Sequence, residues 1–146
     1  MNHIAWLVEK ILDFDPSLWT LSVEDHPDLT IDQWLAIRIK WGIDRGFVWF
    51  EFDRHNEPKK AICMRPVNEE ILERIQADFS RSVWDFDPAG KIVFIDFRCG
   101  DGSIPLAWDL CKMSGRNEVA YYHHQKIKRV KLSNVPRVAE LLHGPN

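Results

Sequence analysis

An aspartate in an unexpected place is the first residue here able to do chemistry. The stretch Ile92-Val93-Phe94-Ile95-Asp96-Phe97 is apolar at every position but one, the pattern of a central strand covered on both faces. A carboxylate there is costly to bury unless it is paired or has a task. Two readings follow. Asp96 is either a structural partner of Arg98, two residues on and so on the same face of a regular strand, or a functional acid. Immediately downstream, Cys99-Gly100-Asp101-Gly102-Ser103 is a glycine-rich turn ahead of a helical pattern. Such a turn offers backbone N–H groups to an anion such as a phosphate, and Gly100, Asp101, Gly102 and Ser103 would line that cradle. An ordinary strand-to-helix turn has the same composition. Cys99 would be an acyl-accepting nucleophile if the helix start lowered its pKa, and a small packed thiol otherwise.

Histidine supplies the other candidates. His26 lies within Glu24-Asp25-His26-Pro27-Asp28, where neighbouring carboxylates favour its protonated form. His123 and His124 are adjacent on a strand-like segment, so their side chains point to opposite faces and cannot share one ion. No H-E-x-x-H or other ligand spacing is present, and no metal site is expected. Lys126, Lys128, Arg129 and Lys131 form a local basic patch without an acid among them. On residues alone it reads as a solvated strand edge, where lysines guard against edge pairing.

The elements that must position these residues can be read from periodicity. A helix from Asn2 to Leu12 carries Ile4, Leu7, Val8, Ile11 and Leu12 on one face. A polar, acidic connection leads to Thr30 and Gln33, a capping-box pair opening a second helix that runs to Ile43. Phe47 to Phe52 and Lys60 to Arg65 form a hairpin, and a third helix spans Val67 to Phe79. The strand over residues 91–98 follows the turn Asp87-Pro88-Ala89-Gly90. A fourth helix opens at Ser103 and Pro105 and ends at Gly115. Glu118 to His124 and Lys126 to Leu132 read as strands, with a short helix starting near Asn134 and Pro136. This order predicts an α+β fold, a mixed central sheet flanked by helices, in one domain spanning 1–146.

Composition narrows the function. With 45 % hydrophobic residues, seven Trp and eight Phe, the chain is expected to fold rather than stay disordered. A net charge of −3 argues against a nucleic-acid partner. No apolar run reaches the roughly 18 residues of a membrane span. Met1-Asn2-His3-Ile4 lacks the basic start of a signal peptide. Cys63, Cys99 and Cys111 are odd in number and widely spaced, so a reducing cytoplasm is expected.

Several segments together resemble the toxin-activating lysine acyltransferases, which convert protoxins of the hemolysin type. Phe94-Ile95-Asp96-Phe97 followed by Gly100-Asp101 is similar to that family's Phe-Ile-Asp-Trp strand and its Gly-Asp before a helix. Pro58-Lys59-Lys60-Ala61-Ile62-Cys63 and Asn68-Glu69-Glu70-Ile71 resemble its hairpin return strand and following helix, and His3-Ile4-Ala5-Trp6-Leu7 its opening helix. The gap from His26 to Pro58 is close to the family's gap from its catalytic histidine to the equivalent proline. The resemblance implies an acetyltransferase-like (GNAT-like) fold. It also implies transfer of a fatty acyl group from acyl carrier protein to an internal lysine of a protoxin.

By the same resemblance His26 and Asp96 are the catalytic pair, histidine being the natural base for a lysine amine near neutral pH. No cofactor is held; the donor is the acyl-phosphopantetheine of acyl carrier protein. Lys126, Lys128, Arg129 and Lys131 would then dock that acidic carrier. A homodimer is allowed. The alternative is a degenerate, non-catalytic member that binds carrier or target protein. A coenzyme A acetyltransferase is disfavoured, because counting from Arg98 places Asp101 where the Gln/Arg-x-x-Gly-x-Gly/Ala turn needs glycine.

Overall fold

The computed structural model describes residues 3–14, 23–123 and 125–132. Helix α1 (His3–Phe14) and helix α2 (Ile31–Asp44) come first. Strands β1 (Val48–Phe52) and β2 (Pro58–Val67) form a hairpin, then helix α3 (Glu69–Ala77) and a 3-10 turn (Phe79–Arg81) lead to β3 (Ile92–Cys99). Helix α4 (Ser103–Met113) carries the chain to β4 (Glu118–His123) and β5 (Lys126–Lys131). The helix expected near Asn134 and Pro136 lies outside the described residues.

The five strands form one sheet in sequence order. Every neighbouring pair is antiparallel except β3 and β4, which run parallel. A parallel neighbour cannot be reached by a tight turn, so α4 is the crossover that this pairing requires. The fold is therefore α+β, a mixed sheet with helices on both faces, as the order of sequence patterns predicts.

Local signals explain the element ends. Thr30 Oγ1 accepts from Gln33 N–H at 3.2 Å while Gln33 Oε1 accepts from Thr30 N–H at 2.9 Å, so the expected capping box opens α2. Asn68 caps α3 by accepting from Ile71 N–H at 2.8 Å. The third helix consequently starts two residues later than expected, and Val67 completes β2 instead. Ala61, Cys63 and Val67 are all buried beneath α1, α2 and α3, which strand alternation dictates and helical spacing does not.

Two apolar layers hold the sheet. On one face Leu7, Ile11, Trp34, Leu35, Ile71 and Ile75 of three helices pack on Ile92, Phe94 and Phe97. On the other, Ala107 and Cys111 of α4 pack on Ile62, Val93, Ile95 and Val119. Phe94 is fully buried, and a side chain so placed contributes about 1.5–3 kcal/mol by leaving water.

Candidate functional site

The centre of the molecule holds charge. Helix α2 buries Trp34, Leu35, Arg38, Ile39 and Gly42, so Arg38 occupies a position in phase with the apolar stripe. Strand β2 likewise turns Ala61, Cys63, Arg65 and Val67 to the same layer. Between these two arginines stands Asp96. Its Oδ2 accepts from Arg38 Nη2 at 3.3 Å and its Oδ1 lies 3.1 Å from Arg65 Nη2. The side chains of Arg65, Asp96 and Arg38 are 0 %, 4 % and 6 % exposed, which makes the trio a buried ion network rather than a surface bridge.

Two cations outweigh one carboxylate, and neutral groups carry the remainder. Arg38 Nε donates to Val83 O at 2.8 Å. Arg65 Nη1 donates to the carbonyls of Ser82 and Asp85. The Arg38 guanidinium lies 4.3 Å from the Trp41 ring centre, and that of Arg65 lies 5.4 Å from Phe94, where ring faces favour a cation. Burial still lowers the Arg38 pKa, with Asp96 opposing that shift. Together these bonds tie the connection at Ser82–Asp85 to the sheet.

The pairing of Asp96 with Arg98 that strict alternation would allow does not form, and a bulge is the reason. Cys63 pairs with Phe97 but its neighbour Met64 pairs with Ile95, leaving Asp96 as an extra residue on β3. A bulge puts two consecutive residues on one side and breaks the period of two. Asp96 and Phe97 both line a small cavity beneath α1 and α2. Arg98 points the other way, is exposed, and donates to Ser103 Oγ at 3.2 Å.

His26 is exposed in the turn before α2, its N–H donating to Val23 O at 2.8 Å. The hollow beside it is bounded by Val23, Glu24, Pro27, Leu29 and Ile31. The cavity at Asp96 has a volume of about 10 Å³ and is closed by Ile11, Leu35, Ile39 and Cys63, which leaves no room for an imidazole. His26 and Asp96 are therefore not brought together.

The glycine turn is better formed for ligand work. Gly100 has φ +95°, and a Cβ there would lie 2.5 Å from Lys59 O, so no other residue fits without moving β2. Gly102 has φ +78° and is the N-cap of α4, with no side chain capping that end. The Lys60 ammonium lies 3.2 Å from where a Gly102 Cβ would stand and also pairs with Glu51 at 3.1 Å. Lys60, then Lys59, hold the Glu51 carboxyl below its usual range. Ser103 is buried and Asp101 exposed. An uncapped helix start beside a lysine has the electrostatics of an anion cradle.

Cys99 does not match the activated thiol considered above. It is half-buried, and desolvation pushes its pKa up, with only smaller opposing contributions from an Ala61 backbone bond and Lys10. Cys63 is pushed up to about 12 and Cys111 to about 11 by burial.

The basic residues of β5 divide between the two faces. Ile127 packs with the α1–α3 layer, whereas Lys128 pairs across from Tyr121 of the α4 layer. Strand alternation then places Arg129 and Lys131 on one side and Lys126 and Lys128 on the other. Arg129 is engaged by carboxylates: Nη1 donates to Glu69 at 2.7 Å and Nε to Glu118 at 2.8 Å. Lys126, Lys128 and Lys131 are exposed. No group of three or more His, Cys, Asp or Glu is arranged to hold a metal ion among the described residues, and none of the described helices is long and apolar enough to cross a membrane.

Compared with known protein families and with curated proteins, the chain matches none.

Arg38 and Arg65 are the site residues that sequence reasoning missed. A signal existed in both cases, since each cation falls in phase with buried apolar positions of its own element.

Proposed function

We propose that the chain is a cytoplasmic protein-lysine acyltransferase that takes a fatty acyl group from acyl carrier protein and places it on an internal lysine of a protoxin. The observation that carries this reading is the uncapped start of α4 at Gly102, flanked by Lys60. It suits the phosphate of phosphopantetheine, with the Gly100 to Ser103 backbone as cradle. The single parallel step from β3 through α4 to β4 supports an acetyltransferase-like (GNAT-like) arrangement of the same elements.

In the reaction, the lysine amine attacks the thioester carbonyl, the C–N bond forms, and the C–S bond breaks with release of the carrier thiolate. His26 is the group that takes the lysine proton. Asp96 assists only at a distance, through Arg38 and the helix that bears it. Lys126, Lys128 and Lys131 are the exposed lysines of β5 offered to the acidic carrier, with Arg129 held by Glu69 and Glu118.

The second reading is a binding module that holds carrier or target protein without transfer. Engagement of Asp96 by two arginines favours it, because a carboxylate so held is not available to orient an imidazole. Incubation with acyl carrier thioesters, with and without a lysine-bearing acceptor, separates the two. Acceptor-dependent thioester loss supports the enzyme, carrier binding with no loss supports the module, and neither outcome removes both.

A further inference from the structure

Helix α4 covers only part of its face of the sheet, and a cleft of about 490 Å³ opens between it and the β1–β2 hairpin. That volume lies in the range of small-molecule sites. The sheet side is apolar, with Ile62, Met64 and Val93, and Phe47, Trp49 and Phe86 add aromatic surface. Trp49 is 47 % exposed, an indole left in water where a ring could cover it. The Phe47 and Phe86 rings meet at 5.2 Å and 71°.

Charge identifies the rest of the ligand. Arg45, Arg65 and Arg116 line the cleft and no acidic residue does, in a chain whose net charge is −3. Arg65 borders it only from behind: its side chain is 0 % exposed and turned to Asp96 on the opposite layer of the sheet. Arg116 is positioned by neutral acceptors, Nε donating to Gly90 O at 2.7 Å and Nη2 to Pro88 O at 2.8 Å. Arg45 lies 4.5 Å from the Trp41 ring centre and donates to Trp41 O at 3.1 Å. Neutral partners orient a guanidinium and leave its charge for an anion.

We infer that this cleft binds a planar aromatic anion of the arene-carboxylate class, its ring against Trp49 and Phe86 and its carboxylate toward Arg45 and Arg116. Aromatic lining selects a flat body, and two cations without acids select the head. The cleft reaches Val93, Cys111 and Ser114, the start of β3 and the end of α4. The glycine turn lies at the opposite ends of both elements, so this site is independent of the acyl-transfer reading.

The test uses naphthoate and its neutral amide, naphthamide, followed by calorimetry and by tryptophan fluorescence on the full chain. Naphthoate should bind saturably and one-to-one, with the amide weaker by about tenfold or more, the worth of one charge-assisted hydrogen bond. Arg45→Gln, at an exposed position, should lose that advantage for naphthoate and leave the amide unchanged. Methyl shifts of Ile62, Met64 and Val93 should move on titration. Absence of saturable binding at millimolar naphthoate, equal affinity for the amide, or shifts confined elsewhere would overturn the inference. Tighter binding of decanoate than of naphthoate would also overturn it, making the cleft an aliphatic channel.

Discussion

Arg65 Nη2 stands 3.1 Å from Asp96 Oδ1, yet neither atom makes a hydrogen bond. The two are held at ion-pair distance without alignment, so their attraction is Coulombic and unscreened by water. Arg38 makes the aligned bond on the other oxygen. One carboxylate thus serves two cations that otherwise face only carbonyls and rings.

Removal of that carboxylate should cost more than its removal from a surface. Asp96→Ala and Asp96→Asn should each destabilise by about 3–5 kcal/mol, because either leaves two buried guanidiniums uncompensated. Urea midpoints check this. Apolar replacement of all three charged residues at matched volume should recover most of the loss, an outcome that a merely enlarged cavity would not give.

His26→Ala should leave the urea midpoint nearly unchanged, since the side chain is exposed and such substitutions usually fall within about 0.5 kcal/mol. If the proposed chemistry holds, acyl transfer falls by about 10²–10⁴. Mass spectrometry of the acceptor lysine measures it.

Lys128 and Arg129 should behave differently when reversed to Glu. Lys128→Glu should slow association with acyl carrier protein, more at low salt than at high, and spare stability. Arg129→Glu should release β5 from α3, because it sets a third carboxylate against Glu69 and Glu118. Hydrogen exchange along β5 distinguishes the two.

The same tether should be acid-sensitive. Arg129 holds the Glu69 carboxyl below its ordinary 4.5, so the folded state binds fewer protons there than the unfolded chain. The pair therefore stabilises fully above that ordinary value and is lost as pH falls through the lowered one. Exchange of β5 amides should rise over that interval in the wild type and lose this dependence in Glu69→Gln.

Gly100→Ala should destabilise by about 1–3 kcal/mol, since it adds a Cβ at a left-handed φ and only 2.5 Å from Lys59 O. Thermal melting checks the loss. A carrier that docks at the turn should bind this variant more weakly.

Much of this was legible locally. The Thr30–Gln33 cap, the hairpin and the central position of residues 92–97 depend on neighbours in sequence, and periodicity finds them. The partners of Asp96 depend on chain brought from residues 38 and 65, which no local pattern encodes. The bulge was the decisive omission. Strict alternation assigns Asp96 to Arg98, and one extra residue cancels that assignment. The partners of Arg129 are hidden for a similar reason, because its counter-charge Glu69 comes from another element.

The bulge also has a consequence for how β3 could lengthen or shorten. Ile92, Phe94 and Phe97 serve one layer and Val93 and Ile95 the other; with residue 96 skipped, they alternate in an unbroken frame. Asp96 is thus supernumerary to the alternation of the sheet, and within the fold it serves its two arginines. A chain shortened by this one residue, with Arg38 and Arg65 made apolar, would keep every other side chain of the strand facing its present neighbours.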